Sequence, residues 1–473
     1  MTPQETVERA LAAARCDDCI VIADETSTAN LRWAANSLTT NGVTRSRRLT
    51  VIAITRGAGG PQAGVVSRAG VRADQVADVV AAAESAASQN SAAEDAQPLL
   101  GPGDPEAFGV KEGPGPGQPG WDDEPGSTGI GVFTTFSPAL GEAFAAARAA
   151  GRKLYGFAEH RLTSTFLGTS TGLRLRHDQP TGKADINAKS AEPGGSAWAG
   201  QATRDFTDVD VAAITAGLGQ RLDWARRQIE LPAGRYQTLL SPSAMADLFI
   251  YLYWSAVAKD ALDGRTVFSR PGGGTRIGER LASLPVTLRS DPGDAGLRCA
   301  PFVVARTSRR EASVFDNGLA IPPVTWMDNG VLSALAQTRW TAGLSGQPST
   351  PETDNLILEA AGTNGASLDE MIAGTQRGLV VTCLWYVREV DPQTLLLTGL
   401  TRDGVYLVEH GEVTGAVNNF RFNESPVGLL GRLAEVGGTV PALPREWSDY
   451  FTRSAMPPAR FGDFNMSSVS RAS

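Results

Sequence analysis

Histidine is nearly missing from this sequence: His160, His177 and His410 are the only three in 473 residues. No two lie within five positions, so no pair can share a helix face as metal-ligating histidines do. Each taken alone is better explained by packing or a hydrogen bond than by catalysis. Cysteine is scarce as well, with only Cys16, Cys19, Cys299 and Cys383, which excludes a disulfide framework. Cys16-Asp17-Asp18-Cys19 has the spacing of a redox or zinc half-site. Zinc would need a second pair, however, and two intervening aspartates at a helix end do not favour a low-pKa thiol. Long apolar runs are absent too. The longest, Leu248 to Ala258, covers 11 residues, about half of the ~20 a membrane span needs, and reads as a core helix with no membrane partner. No basic stretch followed by an apolar one opens the chain, so no secretory signal is expected and the cytoplasm is the expected compartment. Positive charge is also in short supply: 43 Lys and Arg against 51 Asp and Glu give a net charge of −8, which argues against nucleic acid as the main partner. There is no Gly-x-Ser-x-Gly elbow and no dinucleotide fingerprint. Pro271-Gly272-Gly273-Gly274-Thr275 lacks the Gly-Lys-Ser/Thr ending of a phosphate loop and reads as a turn or hinge.

What is present is ordinary globular material, 42% hydrophobic and 20% charged, long enough for two or three domains. The expected class is α+β, with an N-terminal α/β layer over 1–230 and a C-terminal, largely antiparallel domain with a few helices over 231–473. Thr2-Pro3-Gln4-Glu5 is a capping box with proline at the first helical position. Strands are expected at Cys19–Ala23, Leu31–Ser37 and Leu49–Ile54, and a helix over Ala73–Ala87. Between Gly101 and Gly120, 12 of 20 residues are Gly or Pro, so 90–127 reads as a mobile insertion. An Ala-rich helix follows Ser137-Pro138 to Gly151, and an amphipathic one runs from Asp208 to Ile229. In the second half Tyr236–Leu240 reads as a strand, and Ser241-Pro242-Ser243 caps a helix to Leu262. Short strands are expected at Val286–Arg289, Phe302–Ala305, Leu379–Val387, Thr394–Leu397 and Val405–Val408. His410 falls in an acidic turn at Val408–Gly411. Ser367-Leu368-Asp369-Glu370 is a second capping box, with Gly378 expected as its C-terminal cap.

The order of several segments in the second half is more specific. Leu231 to Pro242, Arg276-Ile277-Gly278-Glu279-Arg280-Leu281-Ala282-Ser283, Asp291-Pro292, Met327-Asp328-Asn329-Gly330-Val331-Leu332, Asp354-Asn355-Leu356, Gly378-Leu379, Gly411-Glu412-Val413 and Asn418-Asn419 follow one another with characteristic spacing. In this arrangement the chain resembles the TldD/PmbA family over about 231–465, and more loosely over 1–90 and 150–230.

That resemblance implies a heterodimeric zinc metallopeptidase acting on unfolded or modified peptides. Its TldD-type subunit carries His-Glu-x-x-x-His on a helix and a distal cysteine. The two imidazoles and the thiolate hold Zn²⁺, and the glutamate acts as base on metal-bound water. The equivalent helix here is Ala244 to Leu262, where Phe249, Ile250, Tyr251, Leu252, Tyr253 and Trp254 stand instead. No His or Glu occurs between Arg235 and Arg276, and no cysteine follows Cys383. Asp247 and Asp260 are poor substitutes. The expectation is therefore a PmbA (TldE)-type subunit with no catalytic, cofactor-binding or metal-ligating residue of its own. Zinc is expected in a TldD-like partner, the substrate is a peptide or unfolded protein, and the Ala-, Gly- and Arg-rich composition fits a bacterial source. The alternatives are a stand-alone peptidase with a non-standard site, or a non-proteolytic peptide-maturation or binding factor.

Overall fold

The computed structural model describes residues 1–109, 120–190, 195–362 and 365–470. The N-terminal part is built on a six-stranded sheet of β1 (Asp18–Ala34), β2 (Ser37–Gly57), β3 (Gly60–Ala69), β4 (Arg152–Thr169), β5 (Arg174–Ser190) and β6 (Ser196–Thr203), ordered β3-β2-β1-β4-β5-β6 with antiparallel neighbours. Helices α1 (Pro3–Ala13), α2 (Val76–Gln89), α3 (Phe136–Ala149) and α4 (Val211–Trp224) cover one face. The run Cys19 to Ala23 is apolar at every position because both faces of β1 are buried there. Cys19, Val21 and Ala23 meet α1 and α2, whereas Ile20 and Ile22 meet Phe302, Val314 and Phe315 from the second half of the chain. Gly64 lets α2 lie directly on β3, since a Cβ there would stand 2.1 Å from the Ala87 nitrogen.

Two further sheets form the rest. A ten-stranded sheet runs from Trp385–Asp391 at one edge, through the central strands Ala459–Val469, Gly234–Leu240 and Arg377–Val381, to Gln228–Ile229 at the other. A six-stranded sheet contains Val324–Asp328, Val286–Ser290, Leu356–Ala360 and Ser454–Met456. Pairing is mostly antiparallel, with parallel pairs at Leu356–Ala360 on Ser454–Met456, Arg377–Val381 on Gly234–Leu240, and Glu412–Val417 on Gln228–Ile229. The class is α+β, as expected. Helix α5 (Pro242–Ser255) lies in the core with side chains of both sheets, among them Leu240, Val381, Leu288 and Leu358. A helix surrounded in this way is apolar all round, which accounts for its unbroken hydrophobic run.

Local departures from the sequence reading have identifiable causes. The strand expected at Leu31–Ser37 ends at Ala34, because Ala35 and Asn36 turn the chain with φ of 48° and 65°. Asn36 holds the turn through its side chain, which donates to the Arg152 carbonyl (2.8 Å) and accepts from the Leu154 amide (2.6 Å). The helix expected to Ile229 stops at Trp224, and Gln228–Ile229 joins the large sheet. The helix expected to Leu262 breaks after Ser255, where the Ala258 amide turns to the Ala336 carbonyl, and α6 (Ala258–Leu262) follows. Phe302–Ala305 makes one bridge, Phe302 to Ala320, rather than a strand. Leu379–Val387 is divided between Arg377–Val381 and Trp385–Asp391, and Gly378 lies in the first of these while Gly374 caps the helix. Both capping boxes form.

Parts of the segment 90–127, expected as a mobile insertion, pack on the rest of the fold. Phe108 meets Phe302 at 5.3 Å between ring centroids, and Trp121 meets Phe166 edge-on at 5.6 Å. The Arg176 guanidinium donates to the carbonyls of Gly120, Asp123 and Glu124. Residues 110–119 lie outside the described residues. No helix among the described residues is long and apolar enough to cross a membrane.

Candidate functional site

Helix α5 is the position at which the resemblance placed a metal motif. Its start is local chemistry: the Ser241 hydroxyl accepts from the Ala244 amide at 3.2 Å, and Pro242 occupies the first turn. Asp247 is its one acidic residue and is fully buried. One carboxylate oxygen accepts from the Glu446 amide at 2.8 Å, and the other from the Leu384 amide at 3.4 Å. Burial pushes this carboxyl well above the ordinary aspartate range, against the lowering effect of those two amides. Asp247 thus anchors two backbone segments and has no free face for a ligand.

The rest of the helix is closed by aromatic rings. Trp447 lies 5.3 Å from Trp254 and 5.7 Å from Tyr251, and its indole N–H donates to the Asp247 carbonyl at 2.8 Å. Phe451 packs on Tyr253 and Trp254, and Tyr253 also meets Trp326 at 5.2 Å. The Tyr253 hydroxyl donates to the Thr353 carbonyl (2.9 Å) and accepts from the Thr353 amide (2.6 Å). Tyr253, Trp326 and Phe451 are buried, each contributing about 1.5–3 kcal/mol, and the half-buried rings of Tyr251, Trp254 and Trp447 pack over them. The chemistry of these donors does not fit Zn²⁺, which takes imidazole, thiolate or carboxylate ligands. Among the described residues, no group of three or more His, Cys, Asp or Glu side chains is arranged to hold a metal ion.

The scarce residues are dispersed and occupied. His160 on β4 donates from Nε2 to the Arg204 carbonyl and meets the Thr128 hydroxyl through Nδ1, both at 2.7 Å. His410 is exposed in its turn, with φ 53°. Cys299 and Cys383 are buried thiols, each pushed up to about 12 by desolvation, and are unreactive at neutral pH. Cys16 and Cys19 are both free and interact with each other. The hydrogen bond between them holds the Cys16 thiol below its ordinary value and raises Cys19.

Beside the filled helix lies an open cleft of about 520 Å³, within the range of small-ligand pockets. Segment 447–454 separates the two. Trp447 and Phe451 face α5, whereas Thr452, Arg453 and Ser454 line the cleft. The segment is held from the N-terminal sheet by Lys183 of β5, which is buried and donates to the Ser448 hydroxyl (3.2 Å) and the Asp449 carboxylate. The opposite walls come from β5, the loop after β6 and the loop around Arg298. Arg453 donates to the Thr181 hydroxyl (3.0 Å) and pairs with Asp354. His177 donates to Gln179 Oε1 at 3.0 Å, and Gln179 donates in turn to the Arg298 carbonyl at 3.2 Å. Desolvation holds the His177 imidazole below its ordinary value, and the charges of Arg453 and Arg204 add to this effect.

Sequence reasoning read His177 as a packed or hydrogen-bonded side chain and did not reach Gln179, Arg204, Arg298 or Arg453. The His-x-Gln spacing on a strand, which puts both side chains on one face, was the single local signal. Nothing in the order of residues brings 177, 204, 298 and 453 together.

Comparison with known proteins now bears on this geometry. Residues 233–468 match the PmbA/TldA metallopeptidase C-terminal domain. Over 98% of this chain and 99% of the other, the fold is similar to that of TldE from Thermococcus kodakarensis, with a TM-score of 0.77 and 16% identity. A candidate modulator of DNA gyrase from Bacteroides thetaiotaomicron gives a TM-score of 0.74 at 16% identity, over 99% of this chain and 98% of that one. Another such candidate, from Thermotoga maritima, gives 0.72 at 16% identity, over 98% and 99%. Likeness at this identity speaks for the fold alone. No curated protein sequence matches the chain. Given the matched C-terminal domain and a fold shared over the whole length, the chain belongs to the TldD/PmbA family.

Proposed function

We propose that this chain is the metal-free subunit of a TldD/TldE-like zinc metallopeptidase acting on unfolded or modified peptides. It would complete a heterodimer with a TldD-like, zinc-binding chain and form part of the substrate chamber. The observation that supports this reading most is the state of α5. Where the metal-bearing relatives place His-Glu-x-x-x-His, this helix carries Phe249 to Trp254 packed against Trp326, Trp447 and Phe451. These packed rings offer no imidazole, thiolate or free carboxylate to an ion. The adjoining open cleft, with Arg204, Arg298 and Arg453 in its walls, supports a role in holding peptide.

The test is native mass spectrometry with metal analysis on the tagged chain purified from its own cell. A 1:1 complex with a second subunit that carries zinc is the expected result. A metal-free species with no partner before washing would overturn the reading in favour of a binding factor. Zinc held by this chain alone would overturn it in favour of a stand-alone peptidase.

A further inference from the structure

We propose that the cleft beside α5 is a binding site for a peptide carboxylate, received by Arg204 and Arg298. The argument rests on which charges in the cleft are left over. Four carboxylates stand in or beside it, and each is engaged locally. Asp178 pairs with Arg176 at 2.9 Å, Asp205 accepts from the Thr207 amide and hydroxyl, Asp208 accepts from the Thr203 hydroxyl, and Asp354 pairs with Arg453. Arg204 and Arg298 are both exposed in the cleft wall, and among the described residues neither guanidinium makes a hydrogen bond or an ion pair.

The loop that carries Arg298 is also held in place. His177 fixes Gln179, and Gln179 grips the Arg298 carbonyl. The two turns that lead into it close as Asp291 accepts from the Gly293 amide (2.8 Å) and Asp294 from the Gly296 amide (3.1 Å). Guanidinium forks match carboxylates in shape as well as charge, and such hydrogen bonds are about twice as strong as neutral ones. The volume of about 520 Å³ is more than a bare anion needs and suits a peptide end or an acidic side chain with its flanking backbone. The choice of a peptide as the bearer of the carboxylate rests on the proposed function, whereas the anion preference rests on the cleft alone.

The experiment is a fluorescence-anisotropy titration of the purified full chain, without any partner, with N-terminally rhodamine-labelled penta-alanine. Three probes are compared: the free acid, its C-terminal amide, and the amide with glutamate at the last position. The expected result is at least about tenfold tighter binding of the free acid or the glutamate peptide than of the plain amide. The free acid alone marks a chain-terminus site, and both acids marks a general carboxylate site. Arg204→Ala and Arg298→Ala should each remove about three- to tenfold of the preference, with unchanged circular dichroism, because among the described residues neither guanidinium makes a hydrogen bond or an ion pair. Equal binding of acid and amide, no binding of any probe, or a preference intact in the double variant would overturn the proposal. Partner capture is not used in this assay, so failure of the subunit reading and failure of the site remain separate results.

Discussion

Segment 447–454 faces two regions of opposite character. Toward α5 it presents Trp447 and Phe451, and the buried polar groups Asp247, Tyr253 and the Trp447 indole are paired within the protein: Asp247 with two amides, Tyr253 with Thr353, and the indole with a carbonyl. Toward the cleft it presents Thr452, Arg453 and Ser454, and among the described residues two guanidiniums on the facing walls, Arg204 and Arg298, make no hydrogen bond or ion pair. The contrast separates structural from functional polarity. Where buried donors and acceptors are all matched, the chain has used them to fold. Where charges are left over around an open volume, they are available to something else.

The largest effect expected is on the filled side. Leu252 is buried in the main core, and Leu252→Asp would place an unpaired carboxylate there at a cost of about 4 kcal/mol or more. Soluble expression should be lost. A soluble monomer that had merely lost its partner would show instead that this face is an interface and would break the comparison. Next, Trp447→Ala should destabilise the chain by about 3 kcal/mol in urea denaturation, because it removes both ring contacts and the bond to the Asp247 carbonyl.

The pH dependence sharpens the contrast, because two groups act in opposite directions. Burial holds His160 and His177 below their ordinary value of 6.5. Their contribution to stability is full above that pH and is lost as pH falls, since the unfolded chain takes up the proton first. Burial lifts the Glu352 carboxyl from 4.5 to about 7. Its contribution is full below pH 4.5 and lost as pH rises through about 7. Urea midpoints measured between about pH 5 and pH 8 should show Glu352→Gln gaining on the parent toward the alkaline end, by about 1–3 kcal/mol. His177→Gln should lose less than the parent toward the acidic end. The smallest change belongs to the cleft: Gln179→Ala should cost at most about 1 kcal/mol yet weaken the acid-over-amide preference two- to threefold, because it frees the Arg298 loop. A large stability loss with unchanged peptide preference would place Gln179 among the structural residues instead.

Where sequence patterns carried local physics, they were readable. The capping boxes at Thr2 and Ser367, the helix opened by Ser241-Pro242, and the double-sided run at Cys19 all formed. The region from 151 to 208 gave no such signal, although it contains β4, β5 and β6. Long strands such as Arg152–Thr169 alternate irregularly because one end is fully buried while the other is only partly covered. The turn at Ala35-Asn36 was hidden because its partners, Arg152 and Leu154, lie over a hundred residues away.

By itself the sequence determined the class of elements, the family resemblance and the chemical fact that α5 carries no His or Glu. These follow from residue types and short spacings, which act through caps, periodicity and ligand chemistry. Only the tertiary structure decided that Trp447 and Phe451 close over that helix, that Asp247 is spent on two backbone amides, and that Arg204 and Arg298 face one cleft. Those outcomes depend on contacts between segments up to 200 residues apart, as between Asp247 and Trp447, and no local pattern specifies which distant groups will meet.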